Sequence, residues 1–383
     1  MSQSSRQRMK VYCWLAIAAG CGIIAVVSLW FGRHDNAVER SAALLETSVD
    51  GFGLYVKQRL CSECHPSQSA SHSSTGHANT LRPSVLSEVA SALDGKTFKD
   101  PERECEYHYH FDSQEGLSVT IAGRFDDAPF PLAYAVGSGK HATTFLALIP
   151  NRLGETTGVE HRVSVYPSEN GPRLDLTGGQ PEQTPEQDVE HFGRVIRGDT
   201  LLHCVECHTT GGEIVGQEIR GFMPNISCQN CHGPRREHVI AMKRAGDKSA
   251  PPPGSSRLTA IEQIRMCSRC HPRPGMEEEN EVAPNHIRSV RLQSTEFLQS
   301  KCYGGSKDRL GCSTCHDPHQ PISRDRNHYV KRCLGCHAAP DSVHCPVSPQ
   351  TNCVQCHMPL VQADDGTQFH DHRIRVGQRQ DRP

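Results

Sequence analysis

Aromatic side chains are scarce in this sequence, at 5% of residues, and both tryptophans, Trp14 and Trp30, fall in one N-terminal apolar stretch. A chain of 383 residues is long enough for two or three ordinary domains. This composition leaves something other than aromatic rings to fill the interior. Methionine is scarce too, at 7, and the formal net charge of −2 offers no excess of either sign, which argues against a nucleic-acid partner. What the chain has instead is cysteine, 19 residues, and histidine, 23.

The N-terminus carries Arg6, Arg8 and Lys10 ahead of an uncharged run from Val11 to Gly32. At about 1.5 Å per residue such a run can cross a bilayer. Basic residues on its short side place residues 1–10 in the cytoplasm and the rest outside. The expectation is a single N-terminal transmembrane helix over 11–32, an inner-membrane anchor holding a periplasmic body. A cleaved signal peptide shares the charge pattern, and Cys21 after Ala18-Ala19-Gly20 allows a lipoprotein reading. The long apolar run and the lack of an A-x-A site favour retention.

Residues 33–103 read as a linker and a first motif segment. From 104 to 178 the texture changes. Leu117-Ser-Val-Thr-Ile-Ala and Arg162-Val-Ser-Val alternate apolar and polar, and Gly, Pro, Asp and Asn separate such runs. This predicts a small antiparallel β insertion of four or five strands. From 188 to 375 the expectation is short helices with much irregular chain, and a loop at Pro251-Pro-Pro-Gly-Ser-Ser. The fold class expected is mainly α around stacked cofactors, plus the β insertion.

Cys-x-x-Cys-His occurs seven times: Cys61/Cys64/His65, Cys204/Cys207/His208, Cys228/Cys231/His232, Cys267/Cys270/His271, Cys312/Cys315/His316, Cys333/Cys336/His337 and Cys353/Cys356/His357. This is the attachment signature of a c-type haem. On one helical turn, positions i, i+3 and i+4 share a face. Two thiols then reach the two vinyl groups of a porphyrin, and the adjacent imidazole reaches its iron as proximal ligand. Zinc sites use Cys-x-x-Cys but do not demand a histidine directly after the second cysteine, and a disulfide framework does not either. The expected cofactors are seven covalently bound haems c. Six motifs fall between 204 and 357, roughly one per 26 residues, too little chain to insulate each haem. The macrocycles themselves would then be the hydrophobic core.

Sixteen histidines lie outside the motifs. With methionine scarce, bis-His ligation is expected, which sets lower potentials than His/Met ligation. The distal candidates are His77, His238, His319, His344 and His372, with His203, His141 and His328 in reserve; a solvated or supporting histidine is the alternative for each. Of the five cysteines outside the motifs, Cys13 and Cys21 sit in the apolar run. Cys105, Cys302 and Cys345 remain, with Cys302–Cys345 the preferred disulfide and buried thiols the alternative.

From Cys61 onward, apart from the β insertion, the chain resembles multihaem cytochromes of the c-554 type, related to the hydroxylamine oxidoreductase and pentahaem nitrite reductase group. The likeness rests on Ser74-Thr-Gly-His77-Ala, Cys231-His-Gly-Pro with His238-Val, Cys315-His-Asp-Pro-His319, Cys356-His-Met-Pro359 and Asp371-His372-Arg. It implies His77 and His319 as distal ligands. Two departures bear on activity: no motif is Cys-x-x-Cys-Lys, and no tyrosine follows Cys353. The resemblance therefore implies an electron carrier, working with a redox partner protein or a quinone-linked complex. The alternative is an oxidoreductase for a small nitrogen or sulfur oxyanion, which needs one five-coordinate haem.

Overall fold

The computed structural model describes residues 54–375, except 151–154, 182–183, 222, 246–257, 272–292, 307, 341, 343 and 363–367. Its largest body is built of strands. In chain order these are β1 (Leu81–Pro83), β2 (Thr97–Lys99), β3 (Glu106–Asp112), β4 (Gly116–Ile121), β5 (Phe130–Leu132), β6 (Tyr134–Val136), β7 (Thr144–Pro150), β8 (Thr156–His161), β9 (Val163–Tyr166), β10 (Arg173–Leu176) and β11 (Gly193–Ile196). They form a five-stranded sheet in the order β1-β6-β7-β8-β11, a four-stranded sheet in the order β2-β3-β4-β5, and the hairpin β9–β10, with every pairing antiparallel.

Alternation explains the pairing. On β3, Tyr107 and Tyr109 are buried while His108 and His110 face solvent, and their partners across the ladder on β4 are Ile121 and Val119. A period of two places one face of each strand in the core. Phe145, Ala147, Val159, Val163 and Phe192 complete that core, with Phe130 and Phe192 stacked at 4.2 Å. Two polar residues are built into it. The Arg162 guanidinium, fully buried, is paired with Asp100 and, at 2.7 Å, with Glu102. His161 receives a bond from the Tyr109 hydroxyl at 2.9 Å and donates from Nδ1 to the Phe192 carbonyl at 2.8 Å. The carbonyl can only accept, so Nδ1 carries the proton.

Three small ladders follow: β12 (Thr209–Thr210) with β15 (Met223–Pro224), β13 (Glu213–Val215) with β14 (Glu218–Arg220), and β16 (Leu360–Gln362) with β17 (Gln368–His370). The helices used below are α1 (Arg59–Ser62), α2 (Pro66–Ser73), α3 (Gly198–His208), α4 (Cys228–His232), α5 (Arg236–Ala245), α6 (Ala260–Cys267), α7 (Arg326–His337) and α8 (Cys353–His357).

The expectation of a mainly α chain is corrected. Strands begin at Leu81, well before residue 104, and recur at Ile196 and at 360–370, so the β part is neither small nor a single insertion. The helices stay short because each motif asks for little more than one turn. The single-pass, inner-membrane placement is corrected as well: among the described residues no helix is long and apolar enough to cross a membrane. Residues 11–32, where the anchor was expected, and the Pro251 loop lie outside the described residues.

Candidate haem sites

Each motif is laid out by local helical bonding. His65 N–H bonds the Cys61 carbonyl at 2.8 Å, His271 the Cys267 carbonyl at 2.9 Å and His316 the Cys312 carbonyl at 3.0 Å. These i to i+4 bonds put two thiols and an imidazole on one side of a turn. The second and sixth motifs end longer helices, α3 and α7; the third and seventh are α4 and α8 themselves. Asp325 caps α7, accepting from Asn327 N at 2.9 Å.

One cavity of about 5730 Å³ is lined by the cysteines and histidine of all seven motifs, and also by His77, His238, His319, His344 and His372. A small-molecule pocket holds about 300–1,000 Å³. The space therefore suits several large groups side by side, not one ligand.

The histidine geometry tests whether those groups fit. His65 and His238 have ring centres 6.5 Å apart, His77 and His271 6.1 Å, His232 and His319 5.9 Å, and His316 and His372 6.2 Å. Two imidazoles bound to one metal through bonds of about 2 Å need a separation of this size. Aromatic rings in simple contact also span this range. Each pair joins one motif histidine to one from outside the motifs, a composition that fits a shared metal. Burial lowers the pKa of His77, His232, His271 and His316 below the ordinary imidazole value, and brings His372 down to about 4. Neutral imidazole is the ligating form.

The pairing crosses the chain order. His238, on α5 after the third motif, faces the first motif's His65, and His77, after the first motif, faces the fourth motif's His271. His319 does not serve the motif beside it but faces His232, and His372 faces His316. His344 lines the cavity but is exposed and is not brought against a motif ring. Of the reserves, His203 lies 3.6 Å from the Cys207 sulfur, His141 stacks on Phe369 at 5.8 Å, and His328 packs on Tyr329. His72 was not among the candidates. It sits on α2, half-buried and lining the cavity, with its pKa lowered by burial. Its place seven residues after His65, two helical turns on, was the available signal.

Neighbouring motifs touch. Gln58, beside the first, donates to Cys228 of the third at 3.1 Å, and Cys61 and Cys228 share a hydrogen bond. Arg269 of the fourth donates to the Asn230 carbonyl of the third at 2.6 Å, and its own carbonyl accepts from Cys207 of the second at 3.4 Å. Ser313 of the fifth meets Gln263 of α6 at 2.6 Å. His316 packs on Tyr329 of α7 at 5.5 Å, and Cys333 of the sixth bonds Cys353 of the seventh. The second motif is seated on the β body, where Leu201 of α3 packs against Leu146 and Leu148.

No disulfide joins the described cysteines, so the expected Cys302–Cys345 bridge is not formed. The Cys302 thiol lies instead close enough to Cys315, Cys333 and Cys336 to perturb them or be perturbed by them.

Residues 180–233 match the family model for cytochrome c554 and c-prime, a segment holding the second and third motifs. No curated protein matches the chain. Among solved structures, the outer cell wall cytochrome OcwA is similar at 14% identity with a TM-score of 0.46, over 86% of this chain and 81% of that one. The matched segment supports a c-type cytochrome with covalently bound haem.

Proposed function

We propose that the chain is a heptahaem c-type cytochrome whose work is electron transfer through mostly bis-His centres. The observation that carries this is the single cavity lined by all seven motifs, in which four motif histidines each face a histidine from elsewhere in the chain. Bound haem supplies one-electron exchange at its iron. The chain's own residues do the rest. Fourteen motif cysteines would attach the groups, and the paired imidazoles would supply nitrogen ligands to the irons. Imidazole on both sides favours a lower potential than methionine on one.

The contacts between motifs support a route. It runs from the first to the third, fourth, fifth, sixth and seventh, with the second touching the fourth from the side. Such direct contact leaves little polypeptide between neighbouring centres. Electrons would enter and leave through a redox partner protein or a quinone-linked complex. The relation to hydroxylamine oxidoreductases and pentahaem nitrite reductases belongs to this proposal, on the motif resemblance.

Intact mass of the chain matured in a host competent for haem attachment, read with its electron paramagnetic resonance spectrum, tests the reading. A mass increase of seven haems with low-spin ferric signals is expected. The unmodified polypeptide mass, or bound zinc, would overturn it. A high-spin signal that shifts on adding nitrite would replace the carrier by an oxyanion oxidoreductase.

A further inference from the structure

The segment leading into the sixth motif carries cations without partners. Arg324, Arg326, Lys331 and Arg332 are all exposed, and among the described residues none of them forms an ion pair. Two acids share the segment, Asp317 at 3.2 Å from His319 and Asp325 at the cap of α7, so the four cations outnumber them. Elsewhere on the haem-bearing part some cations are engaged, Lys243 with Glu63 at 3.5 Å and Arg375 with Asp371 at 2.9 Å, and others, such as Arg265 and Arg373, stand singly; here four fall within nine residues. Against a net charge of −2 for the whole chain, this is a local positive field.

Its position matters as much as its sign. Arg324, Arg326 and Arg332 are exposed and also line the haem cavity, so they stand at its mouth. Ile322, 74% exposed, lines the same mouth. Arg332 directly precedes Cys333, the first attachment cysteine of the sixth motif. Uncompensated cations around an exposed apolar side chain favour encounter with an acidic surface, the charges guiding approach and the apolar contact holding it.

We propose that Ile322, Arg324, Arg326, Lys331 and Arg332 form the docking surface for an acidic redox protein, which exchanges electrons with the chain at the sixth motif. The proposal rests on the haem reading above. In each exchange one electron passes from the reduced partner to the oxidised chain, and no bond forms or breaks. The same arginines have a rival use, as partners for the carboxylates of the haems themselves. Lys331 separates the two uses, because it is exposed but outside the cavity lining.

The test uses the full haem-loaded chain with a reduced acidic plant-type [2Fe–2S] ferredoxin as probe, followed by stopped-flow absorbance. The second-order rate constant should fall at least tenfold between about 10 mM and about 200 mM salt. Lys331→Glu should lower the low-salt rate severalfold, and Arg326→Glu with Lys331→Glu at least tenfold. Reduction by the methyl viologen radical cation should not slow in either variant, and haem content by mass should not change. A rate indifferent to salt and to Lys331→Glu overturns the proposal. So does an Arg326→Glu variant that loses haem or shifts its spectrum while Lys331→Glu is silent, which assigns the arginines to the haem carboxylates. So, too, does Lys331→Glu abolishing binding to anionic phospholipid vesicles with the ferredoxin rate intact. Failure of the haem reading itself appears earlier, in the mass.

Discussion

A histidine here is defined by what faces it across a gap. His319 follows the fifth motif in sequence, yet its ring lies 5.9 Å from that of His232 in the third. Removing it should expose one haem and leave the others in place. His319→Ala is expected to introduce a single high-spin ferric component, and His319→Met to raise the potential of one centre, since a thioether ligand raises it. Resonance spectra and a redox titration check both, and an unchanged low-spin spectrum in His319→Ala would refute the His232–His319 pairing. His161 shows the opposite use of a histidine. It is wholly buried away from the motifs, and burial lowers its pKa to about 4, with the bond to the Phe192 carbonyl pulling the other way. The unfolded chain takes up this proton below about 6.5 and the folded chain does not. Its stabilising effect is therefore full above that pH and is lost as pH falls through about 4, a swing of roughly 3 kcal/mol. Urea midpoints between pH 7 and 4 should fall less steeply for His161→Gln than for the native chain; identical slopes would place the pH dependence elsewhere.

Elements carry the motifs only as well as their packing allows. A Cβ at Gly158 on β8 would stand 2.6 Å from the Leu201 Cδ1 of α3, so this glycine lets the second-motif helix lie close on the sheet. Gly158→Val should push α3 outward at a cost of about 1–3 kcal/mol. The readout is incomplete haem attachment at Cys204 and Cys207 in peptide mass mapping; full occupancy would show that the contact does not position the motif. The contact was not legible in the sequence, where Gly158 is one glycine among 32. The motifs themselves were legible, because attachment chemistry fixes spacing within five residues. Alternation made several strands legible, as at Leu117–Ile121, but not the extent of the β body. Its edges, Leu81–Pro83 and Gly193–Ile196, are too short for a period to stand out. Distal pairing was hidden for a different reason. Which histidine faces a motif, as His238 faces His65, is set by where α5 packs, and that depends on contacts far along the chain, such as Val56 with Gln229 at 3.1 Å.

The whole molecule divides by what fills it. The β body has a continuous apolar core of its own, from Ala90 through Tyr107, Val119 and Phe145 to Phe192. Beyond Cys228 the described chain buries only four apolar side chains, Val239, Ile264, Val330 and Val354. That cannot offset an ordering cost of about 1–2 kcal/mol per residue. The five motifs of this half line the shared cavity, so on the haem reading this half needs its cofactors to fold, much as small metal-bound domains need theirs. The two parts should then respond differently when haem attachment is withheld. Limited proteolysis of the chain made without haem maturation should leave a protected fragment close to residues 81–196, while the 228–375 part is digested at its many arginines and lysines. With haem attached, both parts should resist. Protection of 228–375 in the haem-free chain, read by mass of the surviving fragments, would mean that side chains build a core there after all, and the case for cofactors as the filling of this half would fall.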